Sequence, residues 1–196
     1  MLRVFGVRDV AVLDGGFPAW AAHAAAQGRP DLIDAAPLRA DAFLDRGALL
    51  AMAPSAAPAF PAALAPGAVK SLADMRAVVA AQCAQVLDAR PAGRFTGAVP
   101  EPRAGLRGGH MPGARSVPFD AMLSGGRLKD PAALRAAFEA AGVDLAAPTV
   151  CSCGTGVTAC VVGLGLEVAG GGPYAVYDGS WTEWGALEDT PVVTGD

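Results

Sequence analysis

The residues best suited to chemistry lie in the run CysGlyThrGlyValThr at positions 153–158. A short β-prone segment at 149–152 precedes this run, and an apolar helical pattern follows it from residue 157. A thiol between a strand and a helix faces backbone N–H groups and the positive end of the helix dipole. Because both favour an anion, we expect Cys153 to hold more thiolate at neutral pH than a free cysteine does.

Two other interpretations of this loop have to be weighed. A cysteine beside a glycine turn can be an ordinary buried residue. A cysteine loop between a strand and a helix is also typical of cysteine phosphatases, which need an arginine to bind phosphate. Ala159 stands where that arginine would be, and Ser152 precedes Cys153 where those enzymes usually have histidine. The loop therefore disfavours a phosphatase.

The elements that must position Cys153 alternate between strands and helices. The pattern predicts strands at 85–88, 115–118, 149–152 and 174–178, and helices at 71–81, 129–142 and 157–170. Such alternation is typical of an α/β fold with a parallel central sheet flanked by helices on both faces. We expect Cys151, two residues before Cys153, to face away from it, and Cys160 to fall on the next helix. Both are expected in the core, with a redox-partner role for Cys151 as the alternative.

The N-terminal part of the chain repeats a pattern found near the C-terminus. ValAlaValLeuAspGlyGlyPheProAlaTrp at 10–20 matches TyrAlaValTyrAspGlySerTrpThrGluTrp at 174–184 in register, which suggests two copies of one unit. Residues 9–13 are then predicted to form the last strand of a first copy. A stretch rich in proline and alanine follows, so we divide the chain into a remnant at 1–52, a linker at 53–68 and a catalytic domain at 69–196.

Composition excludes several classes of protein. Hydrophobic residues make up 53% of the chain, but Gly, Pro or charged residues interrupt every apolar stretch before it reaches the length of a membrane span. A net charge of −4 without a basic cluster disfavours nucleic acid binding. The four cysteines fit neither a zinc site nor a disulfide framework. We expect a cytoplasmic protein with free thiols, no metal, no cofactor and no membrane or nucleic acid partner.

Several segments together resemble one known family. AspAlaArgProAlaGlyArgPhe at 88–95, GluProArg at 101–103, GlyHisMetProGlyAla at 109–114 and TyrAspGlySerTrpThrGluTrpGly at 177–185 accompany the loop at 153–159. In order and spacing they resemble the second domain of the 3-mercaptopyruvate and thiosulfate sulfurtransferases, which are two-domain enzymes of the rhodanese fold. The resemblance covers roughly 70–192 and implies a rhodanese-like domain whose first-domain partner is largely missing.

The resemblance also implies a reaction. In the family the loop cysteine takes sulfur from the donor as a persulfide and passes it to cyanide or to a thiol such as thioredoxin. The resemblance assigns this persulfide to Cys153, with release of pyruvate when 3-mercaptopyruvate is the donor. Thr155 replaces a serine whose hydroxyl works with groups of the first domain. The small neutral residues Gly154 and Thr155 favour 3-mercaptopyruvate over thiosulfate, whose enzymes carry basic residues in this loop.

Donor binding is likewise assigned by the resemblance. Two arginines of the family that hold the donor's carboxylate and carbonyl match Arg94 and Arg103, and a planar guanidinium suits a carboxylate better than lysine does. A surface ion pair is the alternative for either arginine. The other residues assigned to the donor are Gly154, Gly156, Val157 and Thr158.

Three further side chains invite a functional role. Trp181 follows the last strand at the carboxyl edge of the sheet, so we expect it either to line the donor pocket or to pack in the core. His110 lies in a motif that shapes a turn, and we assign it to structure. His23 lies in an alanine-rich segment and is expected to face solvent.

Other functions stay open at this level. The chain could instead use thiosulfate, carry persulfide from a desulfurase without binding a small donor, or be a poorly active remnant or the product of a misassigned start site. Mutation of Arg94 and Arg103 separates a carrier from an enzyme, because only the enzyme needs to bind the donor's carboxylate.

Overall fold

The computed structural model describes residues 2–7, 10–29 and 63–195. The chain divides into two compact units, Met1–Leu64 and Ala65–Asp196, which we call the N-terminal and C-terminal units. The division falls within the segment 53–68 that the sequence marks as a linker. Residues 53–62 of that linker and the helical or irregular stretch at 32–50 lie outside the described residues.

The described part of the N-terminal unit is helical. It contains a 3-10 helix at Leu2–Phe5 and an α-helix, α1, at Gly16–Ala26. The prediction of a strand at 9–13 is wrong for residues 10–13, which are irregular, with Val12 and Leu13 69% and 57% exposed. A strand needs a neighbour to pair its N–H and C=O groups, and the described residues of this unit supply none.

The C-terminal unit is built on a five-stranded sheet in the order β1-β7-β6-β2-β3. Every neighbouring pair in this sheet is parallel, and two short strands, β4 and β5, form a separate antiparallel pair. The strands are β1 Val69–Lys70, β2 Gln85–Asp88, β3 Ala114–Ser116, β4 Leu123–Ser124, β5 Arg127–Leu128, β6 Thr149–Ser152 and β7 Tyr174–Tyr177. The predicted α/β fold class is confirmed.

Two of the helices begin at capping signals that the sequence displays. Ser71 and Asp74 form a capping box at the start of α2, and Asp130 caps α4 just before Pro131. In the described part of the chain no helix is long and apolar enough to cross a membrane. The helices of this unit are α2 Leu72–Ala81, α3 Ala92–Phe95, α4 Pro131–Ala140, α5 Val157–Val168 and α6 Ser180–Trp184, with a 3-10 helix at Phe119–Met122.

Alternation along the strands divides the core between the two faces of the sheet. Leu87, Cys151 and Cys153 belong to the cluster that contains the buried residues of α4 and α5. The expectation that Cys151 faces away from Cys153 is therefore wrong, because residues two positions apart in an extended chain share a face. Val86 and Val150 belong to the cluster on the other face, with α2 and α6. β6 is the middle strand of the five, so the loop that follows it begins at the centre of the sheet.

Candidate active site

The loop that carries Cys153 connects β6 to α5. The Cys153 residue is 1% exposed, and the N-cap of α5 is Gly156, with φ at +82°. A Cβ at Gly156 would lie 3.0 Å from the backbone oxygen of Asp178. Glycine, which has no Cβ, allows both the positive φ and this close approach. Because Gly156 has no side chain to cap the helix, the first N–H groups of α5 are free to bind another acceptor.

That acceptor is the sulfur of Cys153. Burial opposes its charged form, but the Thr158 hydroxyl and the backbone N–H groups of Ala159, Thr155 and Thr158 donate hydrogen bonds to it. The donors outweigh burial and hold the pKa of Cys153 below its ordinary value, the direction expected from the sequence. By contrast, burial raises the pKa of Cys151 to about 12.

The first turn of α6 supports the loop from the neighbouring strand end. The hydroxyl of Ser180 accepts a hydrogen bond from the N–H of Cys153 at 3.2 Å, and the N–H of Trp181 donates to the Cys153 carbonyl at 2.9 Å. Thr182 donates to the carbonyl of Gly154 through both its N–H, at 2.9 Å, and its hydroxyl, at 2.6 Å. Sequence reasoning missed Ser180 and Thr182, although both follow a strand that ends at the same edge as β6.

A cavity of about 450 Å³ opens beside this loop. It joins most of the site residues that the sequence suggested, from two separate parts of the chain. Its lining includes Cys153, Gly154, Thr155, Val157 and Thr158 from the loop and Arg94 and Arg103 from the segment after β2. Thr155 and Val157 are exposed, so the cavity is open to solvent on their side.

Trp181 and Gly156 are not among the residues that line this cavity. Trp181 is fully buried in the core on the α2 side of the sheet, where its Nε1 donates to the carbonyl of Arg107 at 2.8 Å. The guanidinium of Arg90 covers its ring, 4.1 Å from the centroid. Trp181 is therefore not a pocket wall, and the packing alternative is correct. Gly156 shapes the turn below the cavity.

Arg94 is held by a buried carboxylate. Its Nε donates to Oε1 of Glu101 at 3.0 Å and its Nη2 donates to Oε2, and this hydrogen bonding raises the pKa of Arg94. The Glu101 side chain is 1% exposed and the Arg94 side chain 22%, so the ion pair is partly buried and is not the surface pair considered above. A Cβ at Gly154 would come within 3.3 Å of Arg94 Nη2, which places this guanidinium against the loop.

Glu101 also binds a second arginine, Arg90, which lines the same cavity. Arg90 donates to Glu101 Oε1 through Nη1 at 2.8 Å, to Asp88 through Nη2 at 2.6 Å and to the carbonyl of Gly109 at 2.7 Å. The side chains of Arg90 and Asp88 are 1% and 4% exposed. These residues lie within the sequence motifs, but nothing in the local pattern marks them as buried or indicates a role for them.

Arg103 is bound differently. It is exposed, and its Nη1 donates to the hydroxyl of Thr182 at 2.8 Å. Among the described residues, no carboxylate lies within ion-pair distance of its guanidinium. Arg94 and Arg103 thus reach one cavity with different charges around them: the first is neutralised by Glu101, and the second is not.

The remaining cysteines and histidines lie outside this cavity. His110 is buried, with Nδ1 2.9 Å from the Phe95 carbonyl and its ring stacked on that of Phe95, as expected for a structural residue. His23 is exposed on α1, also as expected. The prediction that Cys160 is a core residue is wrong, because it is exposed on the first turn of α5. No group of three potential metal ligands occurs among the residues that the structure describes.

Comparison with known proteins identifies the family. The model of the rhodanese-like domain matches residues 69–187, and the chain therefore belongs to the rhodanese family. The resemblance inferred from the motifs is confirmed at this level.

Individual relatives agree with that assignment. The 3-mercaptopyruvate sulfurtransferase of Escherichia coli K12 is 41% identical over 98% of this chain and 61% of its own length. The thiosulfate sulfurtransferase of Bos taurus is 37% identical over 94% of this chain and 56% of its own. The crystal structure of SseA, a 3-mercaptopyruvate sulfotransferase from Escherichia coli, aligns with a TM-score of 0.63 and 35% identity, covering 92% of this chain and 60% of that one. The chain thus spans little more than half the length of these relatives.

Proposed function

We propose that the C-terminal unit transfers sulfur from 3-mercaptopyruvate to a thiol or cyanide acceptor through a persulfide on Cys153. The observation that carries this proposal is the surroundings of the Cys153 sulfur. Hydrogen bonds from the loop and from the start of α5 favour its thiolate, and the guanidinium groups of Arg94 and Arg103 line the same cavity. A nucleophilic sulfur and a binding site for an anionic donor are thereby combined.

The transfer proceeds in two displacement steps. The Cys153 thiolate attacks the sulfur of 3-mercaptopyruvate, so that an S–S bond forms and the C–S bond breaks. The electron pair of the broken bond passes to the methylene carbon, which is stabilised as an enolate, takes up a proton and leaves as pyruvate. An acceptor thiolate or cyanide then attacks the outer sulfur, and the electron pair of the S–S bond returns to Cys153.

Each lining residue has a part in this scheme. The backbone N–H groups of the loop stabilise the Cys153 thiolate both before the first step and when it leaves in the second. Arg94 and Arg103 bind the carboxylate and the carbonyl of the donor. We assign to Thr155, exposed on the cavity wall, the relay of a proton from solvent to the departing pyruvate carbon.

The charge balance of the cavity favours 3-mercaptopyruvate. Of the three arginines that line the cavity, Arg90 pairs with Asp88 and shares Glu101 with Arg94, which leaves Arg103 without a carboxylate among the described residues. Gly154 and Thr155 add no charge. One uncompensated cation matches the single carboxylate of 3-mercaptopyruvate, whereas the thiosulfate dianion would keep one charge unpaired, which costs free energy on leaving water. Thiosulfate is the second candidate, because the bovine relative is named for that donor.

Pyruvate release tests the proposal. We expect wild-type protein to release pyruvate from 3-mercaptopyruvate in the presence of cyanide, and Arg94→Gln and Arg103→Gln to raise the KM for this donor. Loading of Cys153 from inorganic polysulfide, which has no carboxylate to be held by both arginines, should fall much less than pyruvate release in both variants. Wild-type protein that loads from polysulfide but releases no pyruvate would instead be a persulfide carrier.

The proposal extends to the organisation and setting of the chain. We infer that residues 1–52 are the end of a first rhodanese-like domain. In support, Gly16 and Ser180, at matching positions of the two similar segments, both begin a helix with positive φ, +57° and +49°. A thiol protein such as thioredoxin as acceptor and the cytoplasm as compartment stay predictions from the sequence.

A further inference from the structure

Thr182 connects the donor-binding arginine to the nucleophile loop. Its hydroxyl accepts a hydrogen bond from Nη1 of Arg103 at 2.8 Å and donates one to the Gly154 carbonyl at 2.6 Å. The N–H of Thr182 donates to the same carbonyl at 2.9 Å. Thr182 itself does not line the cavity, so it reaches the donor only through the residues it holds.

The bond to Thr182 matters because Arg103 has little else to fix it. The Arg94 guanidinium is locked by two hydrogen bonds to Glu101, whose side chain is buried. Arg103 is exposed, and a long exposed side chain loses conformational entropy when it is held in one place. The Thr182 hydroxyl holds one N–H of Arg103 and adds no negative charge, so the other N–H groups and the full positive charge stay available to an anion.

We propose that Thr182 is a positioning residue for Arg103 and thereby sets the preference of Cys153 for reagents that carry a carboxylate. This inference rests on the proposed function for its biological meaning, because the carboxylate is that of the sulfur donor. The inference itself requires two things. An anionic electrophile must react faster at Cys153 than a neutral one of similar size, and the Thr182 hydroxyl must contribute to the difference.

Alkylation of Cys153 measures this preference without any sulfur transfer. The thiolate displaces bromide from 3-bromopyruvate or iodide from iodoacetamide, forming an S–C bond while the halide leaves with the electron pair. 3-Bromopyruvate carries the carboxylate and carbonyl of the proposed donor, whereas iodoacetamide is neutral. Both second-order rate constants are measured on the Cys153 peptide by mass spectrometry. Their ratio reports how strongly the arginines favour the anionic reagent.

The variants separate positioning of Arg103 from support of the loop. Thr182→Val keeps the shape of the side chain and the backbone N–H that binds Gly154, but removes the hydroxyl. We expect it to lower the 3-bromopyruvate to iodoacetamide ratio roughly three- to tenfold, the range that corresponds to one ordinary hydrogen bond, because Arg103 is exposed to solvent. Thr182→Ser, which keeps the hydroxyl, should restore the ratio. In an Arg103→Met background, Thr182→Val should change the ratio no further.

Two results would overturn the inference. One is an unchanged ratio in Thr182→Val, whether both rates stay the same or both fall equally, and the other is a further fall of the ratio in the Arg103→Met background. An equal loss of both alkylation rates would show that Thr182 supports only the loop and does not position Arg103. If the ratio behaves as expected while 3-mercaptopyruvate yields no persulfide, then the sulfur donor is wrong and the role of Thr182 stands.

Discussion

Glu101→Gln is the substitution whose effect on stability can be worked out most fully from the structure. The Glu101 carboxylate binds Arg90 at 2.8 Å and also binds Arg94, and the side chains of Glu101 and Arg90 are each 1% exposed. Glutamine keeps the size of the side chain but replaces one oxygen with an N–H donor. That donor would face a guanidinium N–H, and the buried charge of Arg90 would lose part of its compensation.

The expected cost follows from burial. Removing one partner of a buried ion pair costs about 3–5 kcal/mol. Asp88 continues to bind Arg90 through Nε and Nη2, and Arg94 is partly exposed, so we expect the lower end of this range, about 3 kcal/mol. For a domain of this size, that loss corresponds to a fall in Tm of about 10 °C.

Urea unfolding followed by tryptophan fluorescence is the assay, because Trp181 and Trp184 are fully buried in the C-terminal unit. Asp189→Asn is the matched control. It removes the carboxylate of another arginine pair, Arg76–Asp189, whose side chains are 39% and 69% exposed, and should leave stability almost unchanged because solvent screens that pair. A loss below about 1 kcal/mol in Glu101→Gln, the range of surface pairs, would refute the reasoning.

Three further predictions concern the cysteines and the loop. Thr158→Val removes a hydrogen bond that lowers the pKa of Cys153, so the midpoint of its alkylation rate against pH should move upward; an unmoved midpoint would contradict this role. Cys151, with a pKa raised to about 12, should resist iodoacetamide in the folded protein at about pH 9 and react after unfolding, as peptide mass spectrometry would show. Gly156→Ala and Gly67→Ala both place alanine at positive φ and should each lose about 1–3 kcal/mol in urea unfolding. Only Gly156→Ala also meets backbone, at 3.0 Å, and should slow alkylation of Cys153; equal rates in both variants would contradict that contact.

Local signals were enough to predict the main elements of the C-terminal unit. The strand at 85–88 was predicted with its observed bounds, and Ser71 marked the start of α2. The helices of this unit that the sequence did not reveal are short: α3 has four residues and α6 has five, less than two helical turns, so neither shows a helical period. The strand predicted at 9–13 failed for a different reason, since strand formation depends on neighbours that local sequence does not supply.

The surroundings of Cys153 could be predicted because they depend on the backbone that is adjacent to it in sequence. Cys153 was identified from the strand, loop and helix around it, and the structure supplies the donors that this setting implies. The supporting residues act through distant partners: Arg90 and Glu101 are 11 residues apart, and Arg103 and Thr182 are 79 apart. Trp181 shows the same limit, because its place at the carboxyl edge of the sheet did not specify whether its ring faces the cavity or the core.

The central claim is that Cys153 accepts sulfur from 3-mercaptopyruvate, and intact-mass analysis tests it most directly. Purified protein would be incubated with 3-mercaptopyruvate, with thiosulfate or with neither, beside Cys153→Ser and, as a matched control, Cys160→Ser, which removes the exposed thiol of α5. The account predicts a gain of one sulfur atom from 3-mercaptopyruvate in wild type and Cys160→Ser, a smaller gain from thiosulfate, and none in Cys153→Ser. A gain that persists in Cys153→Ser, or no gain in wild type, would contradict it.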